Sequence, residues 1–251
     1  MKILIATMLV IAASAPLLAQ QGAAREPEPL VLGERGCMGP VGSGKRCENP
    51  IDRPPLFFKA EWRQPTGKSH PATPQDTINP NLITRFYGPD AKNIVVAGTD
   101  IVTDAGNVSW LDPSRIWTGL ANSPVGVTFA DKTRYIDLTR RARIGWTVRT
   151  SGFHVVRPIV KLANGNWLIG DHAFAATVHD YVHEDFVTKD IRWRRLDVER
   201  MVTVGEWPVN VDLTQVDEIG FADLMPGSGH NEGGFITVTD MEVYAQPGKP
   251  R

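Results

Sequence analysis

The chain has 251 residues, 27 basic and 28 acidic side chains, a net charge of −1 and a hydrophobic fraction of 42%. These are the values of an ordinary globular protein. They exclude the strongly basic character of nucleic-acid-binding proteins and give no indication of binding to a membrane surface.

The first residues have the pattern of a secretory signal peptide. Lys2 supplies a positive charge, and Ile3–Ala15 form an apolar run. This run is shorter than the roughly 20 residues that cross a bilayer. We therefore predict a signal peptide over residues 1–19, with cleavage after Ala19 or alternatively after Ala24. The mature protein is then secreted or periplasmic, with no membrane span.

Residues 20–55 are rich in Gly, Pro, Arg and Glu, which indicates an extended lead-in. Cys37 and Cys47 enclose a loop of Gly, Pro and Ser within it. Export allows a disulfide between them, and two free thiols are the alternative.

Short strand candidates begin at Leu56, after the lead-in. They are predicted at 56–62, 82–87, 93–97 and 107–111. Further along, Ile144, Trp146 and Val148 alternate with polar or small residues, and this period of two marks a half-buried strand.

The remaining strands are separated by clear turn residues. Asn164-Gly165 predicts a hairpin between a β-like run over 153–163 and Trp167-Leu168-Ile169. Later strands are predicted at 191–198, 216–223 and 235–244, and no stretch of 12 residues has a helical period.

These elements predict an all-β, antiparallel two-sheet sandwich. We expect it to span residues 56–245, followed by a C-terminal tail over 246–251. Its expected core residues are Trp146, Leu196, Val198, Ile219 and Val243.

The last strands also resemble a known class of fold. The segments Trp193–Val198, Val211–Phe221 and Gly234–Tyr244 are similar in succession to the closing strands of galactose-binding-domain-like jelly rolls. That class includes many carbohydrate-binding modules of polysaccharide-degrading enzymes. The resemblance covers roughly residues 190–245 well and is specific for architecture more than for function.

The resemblance implies a jelly-roll sandwich that binds sugars on a sheet face or in loops at one end. Some members of the class hold a structural calcium ion near the first and last strands. Glu61 and Asp240 occupy comparable places here, and carboxylate oxygens are suitable calcium ligands.

Three histidines are the best candidates for acid–base catalysis. His172, His179 and His183 lie among several carboxylates, and imidazole titrates near neutral pH. The same cluster could bind a metal ion, or it could be a solvated loop. Arg149 and Arg157 could assist catalysis by binding a substrate carboxylate, and pairing with acidic residues of adjacent strands is the alternative.

Loop tryptophans are the best candidates for sugar binding. Trp110 and Trp117 lie near turn residues, and an exposed indole can stack on the apolar face of a sugar ring. The alternative is that each of them packs in the core.

The sequence thus favours a secreted protein that binds a polysaccharide or another glycan. The first alternative is a polysaccharide-active lyase or hydrolase that uses the histidines and arginines. The second alternative is an envelope or interaction protein without a small ligand.

We predict that Cys37 and Cys47 form a disulfide that stabilises the lead-in by roughly 2–3 kcal/mol. Mass spectrometry of the unreduced mature protein should then find neither thiol alkylated. Alkylation of both thiols without reduction would contradict the prediction.

Overall fold

The computed structural model describes residues 54–65, 69–98, 113–177, 179–208, 210–227 and 234–251. The predicted signal peptide, both cysteines, Trp110 and the strand expected at 107–111 lie outside these residues. None of the described residues is in an α-helix. Nor does their part of the chain contain a helix long and apolar enough to cross a membrane.

Sixteen strands follow one another along the described chain: β1 (Leu56–Glu61), β2 (His70–Pro71), β3 (Leu82–Tyr87), β4 (Val95–Ala97), β5 (Arg115–Trp117), β6 (Val125–Asp131), β7 (Arg134–Asp137), β8 (Arg143–Ser151), β9 (Val156–Leu162), β10 (Trp167–Gly170), β11 (Val182–Val187), β12 (Trp193–Asp197), β13 (Val202–Val204), β14 (Val216–Asp223), β15 (Phe235–Tyr244) and β16 (Gln246–Pro250). Within the same residues, three single turns of 3-10 helix occur at Pro74–Asp76, Ala91–Asn93 and Thr188–Asp190.

The strands form two antiparallel sheets. The seven-stranded sheet has the order β11-β8-β15-β5-β4-β2, and β1 also pairs with β15. The nine-stranded sheet has the order β13-β12-β10-β9-β14-β6-β3, and β7 pairs with both β14 and β16. The long strands β14 and β15 are consecutive in the chain and lie inside different sheets. The predicted all-β, antiparallel two-sheet sandwich is therefore confirmed.

The core between the sheets consists of the side chains that point inward from every second position of each strand. Along β8, Ile144, Trp146 and Val148 are fully buried, whereas Thr147 and Arg149 are only half-buried on the outer face. The predicted period of two is therefore correct for this strand.

The predicted core residues divide into two groups. Trp146, Ile219 and Val243 are fully buried between the sheets, as expected. Leu196 is also buried, but in a separate cluster, and Val198 beside it is only half-buried. The reason is the register of β12: Trp193 faces the inter-sheet core, so Leu196 three residues later faces the other way.

The end of the chain differs from the expected tail. β16 pairs with β7 at the edge of the nine-stranded sheet, and Arg251 then forms an ion pair with Asp217. Pro247 and Pro250 lack an N–H donor and so conceal this strand in the sequence. Proline is tolerated there because β16 is an edge strand.

The nine-stranded sheet is strongly curled, and its outer face is concave. Met201, between β12 and β13, lies 2.8 Å from the position that a Cβ of Gly126 on β6 would occupy. In a flat sheet, β12 and β6 would be roughly 19 Å apart. The ring centroids of Tyr87 on β3 and Trp167 on β10 are likewise separated by four strand spacings but are only 4.7 Å apart.

Glycines on the concave face permit this curl. A Cβ on Gly220 of β14 would lie 1.9 Å from the carbonyl oxygen of Val127 on β6, so the two backbones approach closely. A second apolar cluster fills part of the concavity and consists of Ile159, Ile169, Leu196, Met201 and Ala222.

We expect Gly220→Ala to lower the free energy of unfolding by about 2 kcal/mol, because the added methyl group meets rigid backbone. Gly145→Ala on β8 is the matched control. The tightest contact of its Cβ would be with the imidazole of exposed His183, at 3.2 Å, and the carbonyl oxygen of Glu184 would lie at an ordinary 3.7 Å. Urea denaturation monitored by tryptophan fluorescence gives both values. Equal urea midpoints for Gly220→Ala and the wild type would show that β14 and β6 accommodate the methyl group without a loss of stability.

Candidate functional site

Aromatic and charged side chains meet on the concave face, beside the second apolar cluster. We call this set the concave-face cluster: Arg85 and Tyr87 on β3, Lys161 on β9, Trp167 on β10 and Glu218 on β14. Strand alternation points all five away from the inter-sheet core. The curl of the sheet then brings side chains from four strands together.

Glu218 is the centre of the cluster, and its side chain has no exposed surface. The Tyr87 hydroxyl donates a hydrogen bond to Oε2 over 2.8 Å, and the Thr128 hydroxyl donates to the same oxygen over 2.6 Å. Oε1 lies 2.8 Å from Nη1 of Arg85 and 3.1 Å from Nζ of Lys161. Both carboxylate oxygens are therefore paired, as a buried charge requires.

These contacts shift the proton affinities of the partners. Burial and the Glu218 carboxylate both raise the pKa of Tyr87. Burial alone would lower the pKa of Lys161, but its bonds to Asp217 and Glu218 outweigh burial and raise it. Both groups thus keep their protons at neutral pH, so the cluster presents fixed hydrogen-bond donors.

The aromatic rings of the cluster are only partly covered. Tyr87 and Trp167 are half-buried and meet edge to face, with an interplanar angle of 67°. Nζ of Lys161 lies 5.8 Å from the centre of the Trp167 ring. Partly exposed rings beside charged donors can bind the apolar face and the hydroxyl groups of one ligand together.

The predicted sugar-binding tryptophans lie elsewhere. Trp117 is half-buried on β5 and belongs to the outer face of the seven-stranded sheet. Its ring packs edge to face on Phe235, at 6.0 Å, and covers Gly119. Trp117 is thus on the opposite side of the sandwich from the concave-face cluster. Trp110 is outside the described residues.

The three candidate histidines do not form one site. Nε2 of His172 lies 3.0 Å from Oε1 of Glu184, whose other oxygen accepts a hydrogen bond from Trp146 Nε1. His183 precedes Glu184 on β11, so it points to the opposite face, where it bonds Thr147. His179 is exposed in the preceding loop.

The two candidate arginines are also apart. Arg149 lies on the outer face of the seven-stranded sheet, with its guanidinium 4.8 Å from the Tyr181 ring centre. Arg157 lies on the outer face of the nine-stranded sheet and donates to the carbonyl of Asp171. The structure therefore does not place both beside one histidine.

The expected calcium ligands do lie opposite each other. Glu61 and Asp240 are directly paired positions of β1 and β15. Nζ of Lys59 is 3.1 Å from Glu61 Oε1, and Thr239 donates to Asp240. The described residues contain no group of three or more His, Cys, Asp or Glu side chains that could hold a metal ion. A calcium ion at this pair stays a prediction.

Sequence reasoning did not select any residue of the concave-face cluster. The sequence indicates for Trp167 only a strand after the Asn164-Gly165 turn. The period-two pattern of β3, in which Arg85 and Tyr87 share a face, was a usable signal for an amphipathic strand. Their meeting with Trp167 depends on the curl, which no local pattern reveals.

No protein-family model matches this chain. No curated protein matches it either. Among solved structures it is similar to a family 11 carbohydrate-binding module of a cellulosomal cellulase of Clostridium thermocellum. That similarity has 12% identity and a TM-score of 0.39 over 72% of this chain and 97% of the module. It is also similar to the CBM22-1 xylan-binding domain of Paenibacillus barcinonensis Xyn10C. Here the identity is 9% and the TM-score 0.38, over 77% of this chain and 96% of that domain.

Because both TM-scores are below 0.5, these similarities carry no argument, and the two-sheet sandwich rests on the pairing of the strands themselves. The similarities assign no ligand and no binding residue to this chain.

We expect Tyr87→Phe to lower the free energy of unfolding by about 2 kcal/mol at neutral pH, because Glu218 loses a buried donor. The raised pKa of Tyr87 means that the phenol stabilises the fold fully below pH 10.0, its ordinary value. This contribution is lost as the pH rises beyond that value. The difference between Tyr87→Phe and the wild type should therefore shrink in alkali.

Urea denaturation at neutral pH and above pH 10 measures this difference. Tyr135→Phe on β7 is the control, because it keeps the ring that lies under Arg251. A difference that stays constant with pH would show that the hydroxyl of Tyr87 does not act through its bond to Glu218.

Proposed function

We propose that this chain is an exported carbohydrate-binding β-sandwich whose glycan site is the concave-face cluster. The observation that carries the proposal is the meeting of Tyr87 and Trp167 with two paired cations on one concave surface. Export is supported by the signal-peptide pattern of residues 1–19.

The aromatic pair suits the apolar face of a sugar ring. Trp167 and Tyr87 are half-buried, so each keeps surface that a ligand can cover. Their rings are held by contact with each other and by the bond from Tyr87 to Glu218. A ligand therefore meets rings that are already ordered, and binding costs little side-chain entropy.

The charged side chains suit the hydroxyl groups. The side chain of Arg85 is 40% exposed and that of Lys161 is 29% exposed, so each retains N–H donors for a ligand while it contacts Glu218. Glu218 fixes the positions of both cations from below. Charge-assisted hydrogen bonds from fixed donors give orientation as well as affinity.

A polysaccharide-active enzyme is the second candidate. The observation that favours it is the half-buried pair of His172 and Glu184, whose carboxylate also accepts from Trp146. A carboxylate can orient an imidazole for proton transfer. The other predicted histidines lie apart from this pair, and its hydrogen bonds among the described residues join His172, Glu184 and Trp146 without an arginine. The pair therefore supports the enzyme less well than the cluster supports binding.

A glycan array identifies ligands, and a reducing-sugar or unsaturated-product assay on the same preparations detects turnover. Binding without turnover supports the first candidate, and turnover supports the second. A negative result in both assays would favour an interaction protein without a small ligand.

We expect Trp167→Ala to weaken binding of the strongest array ligand about ten-fold or more, since loss of about 1.4 kcal/mol corresponds to ten-fold. Isothermal titration calorimetry measures the affinity. Trp207→Ala is the control, because Trp207 is 41% exposed and stacks with Arg192 and Arg194 instead.

The double variant Trp110→Ala/Trp117→Ala tests the alternative site. If it abolishes binding while Trp167→Ala keeps full affinity, the glycan site is not the concave-face cluster. Circular dichroism of every variant checks that the sandwich is intact.

A further inference from the structure

A second surface of the sandwich has the chemistry of a small-ligand site. An open groove of about 380 Å³ lies beside the turn of the β9–β10 hairpin, on the side opposite Lys161 and Trp167. Its volume is within the range of sites that bind small molecules. Leu162 and Leu168 form its apolar floor, where they extend from the inter-sheet core.

The polar groups of the groove are mainly unused donors. Arg195, paired with Leu168 across β12 and β10, is exposed and forms no ion pair with any described residue. Asn164 accepts a hydrogen bond from the amide of Asn166 through Oδ1, which leaves its NH₂ group free to donate. The Asn166 carboxamide has no hydrogen bond within the described part of the chain.

The opposite wall supplies one fixed acceptor. Oδ1 of Asp212 accepts from the amide and the hydroxyl of Thr214, and these bonds hold the pKa of Asp212 below its usual value. Oδ2 remains available to accept from a ligand hydroxyl. No ion pair joins Asp212 to Arg195, although both line the groove.

We propose that this groove binds a sugar carboxylate, so that a uronic acid residue is the ligand. The Arg195 guanidinium pairs with the carboxylate, and the carboxamides of Asn164 and Asn166 donate to its ring and hydroxyl oxygens. Asp212 accepts from a hydroxyl group at the other end of the sugar. An excess of donors over acceptors selects an acceptor-rich ligand, and Arg binds carboxylates with two parallel bonds.

The choice of a sugar rests on the proposed function, but the groove is separate from the concave-face cluster. Arg195 is on the inter-sheet side of β12, whereas Lys161 and Trp167 project to the concave side. Each site can therefore be removed without removing the other.

Calorimetric titration with digalacturonate tests the proposal, and its dimethyl ester is the matched ligand without charge. We expect the wild type to bind the acid at least ten-fold more tightly than the ester. Arg195→Gln should lose ten-fold or more of the affinity for the acid. Arg195→Lys should lose less, because it keeps the charge but not the planar fork.

Arg200→Gln is the control, since Arg200 follows β12, the strand of Arg195, is exposed, pairs with Asp197 and does not line the groove. It should keep full affinity. Equal binding of acid and ester, no binding of the acid, or full affinity in Arg195→Gln would each overturn the groove proposal. None of these results alters the array test of the concave-face cluster.

If Arg195→Gln fails to fold, Arg195→Lys and Asn166→Ala carry the test. A loss of affinity for digalacturonate in both supports the groove, and unchanged affinity in both overturns it.

Discussion

Glu218 has no exposed side-chain surface, and a carboxylate shielded from water must find its partners within the protein. It pairs with side chains of three other strands. Tyr87 on β3, Thr128 on β6 and Lys161 on β9 donate hydrogen bonds, and Arg85 on β3 forms an ion pair. β6 and β9 are the direct neighbours of β14, and β3 lies beside β6, so the long side chains of Arg85 and Tyr87 reach over β6 to the same carboxylate. The pairing of Glu218 thus connects four strands, and the curl of the sheet adds Trp167 on β10 to the candidate glycan site.

The curl of the nine-stranded sheet also makes the two outer faces of the sandwich differ. On the seven-stranded sheet, an ion pair such as Lys59–Glu61 remains open to water, because its side chains are 37% and 47% exposed. Such pairs contribute at most about 1 kcal/mol each and leave little surface enclosed. On the nine-stranded sheet, curvature encloses aromatic and charged groups together. A ligand there replaces water from several side chains at once, which is what a binding site requires.

The sequence could predict the strands but not how their faces meet. The alternation around Trp146 and the Asn164-Gly165 turn are local signals, and both were sufficient for their elements. Whether His172 and His183 share a face depends on whether the chain between them is loop or strand. β11 begins only at Val182, so spacing alone could not decide it. The contact between Tyr87 and Trp167 depends on curvature over four strand spacings, which is not encoded in either residue's neighbours.

The β9–β10 hairpin connects the two proposed ligand surfaces. Because side chains alternate along both strands, Lys161 and Trp167 reach the concave face while Leu162 and Leu168 reach the groove. Gly165, with φ of +86°, permits the tight turn that fixes this register. A slip by one residue would exchange the two faces, placing aliphatic side chains in the glycan site and Trp167 at the core. The turn therefore keeps the two proposed sites on opposite faces of the hairpin.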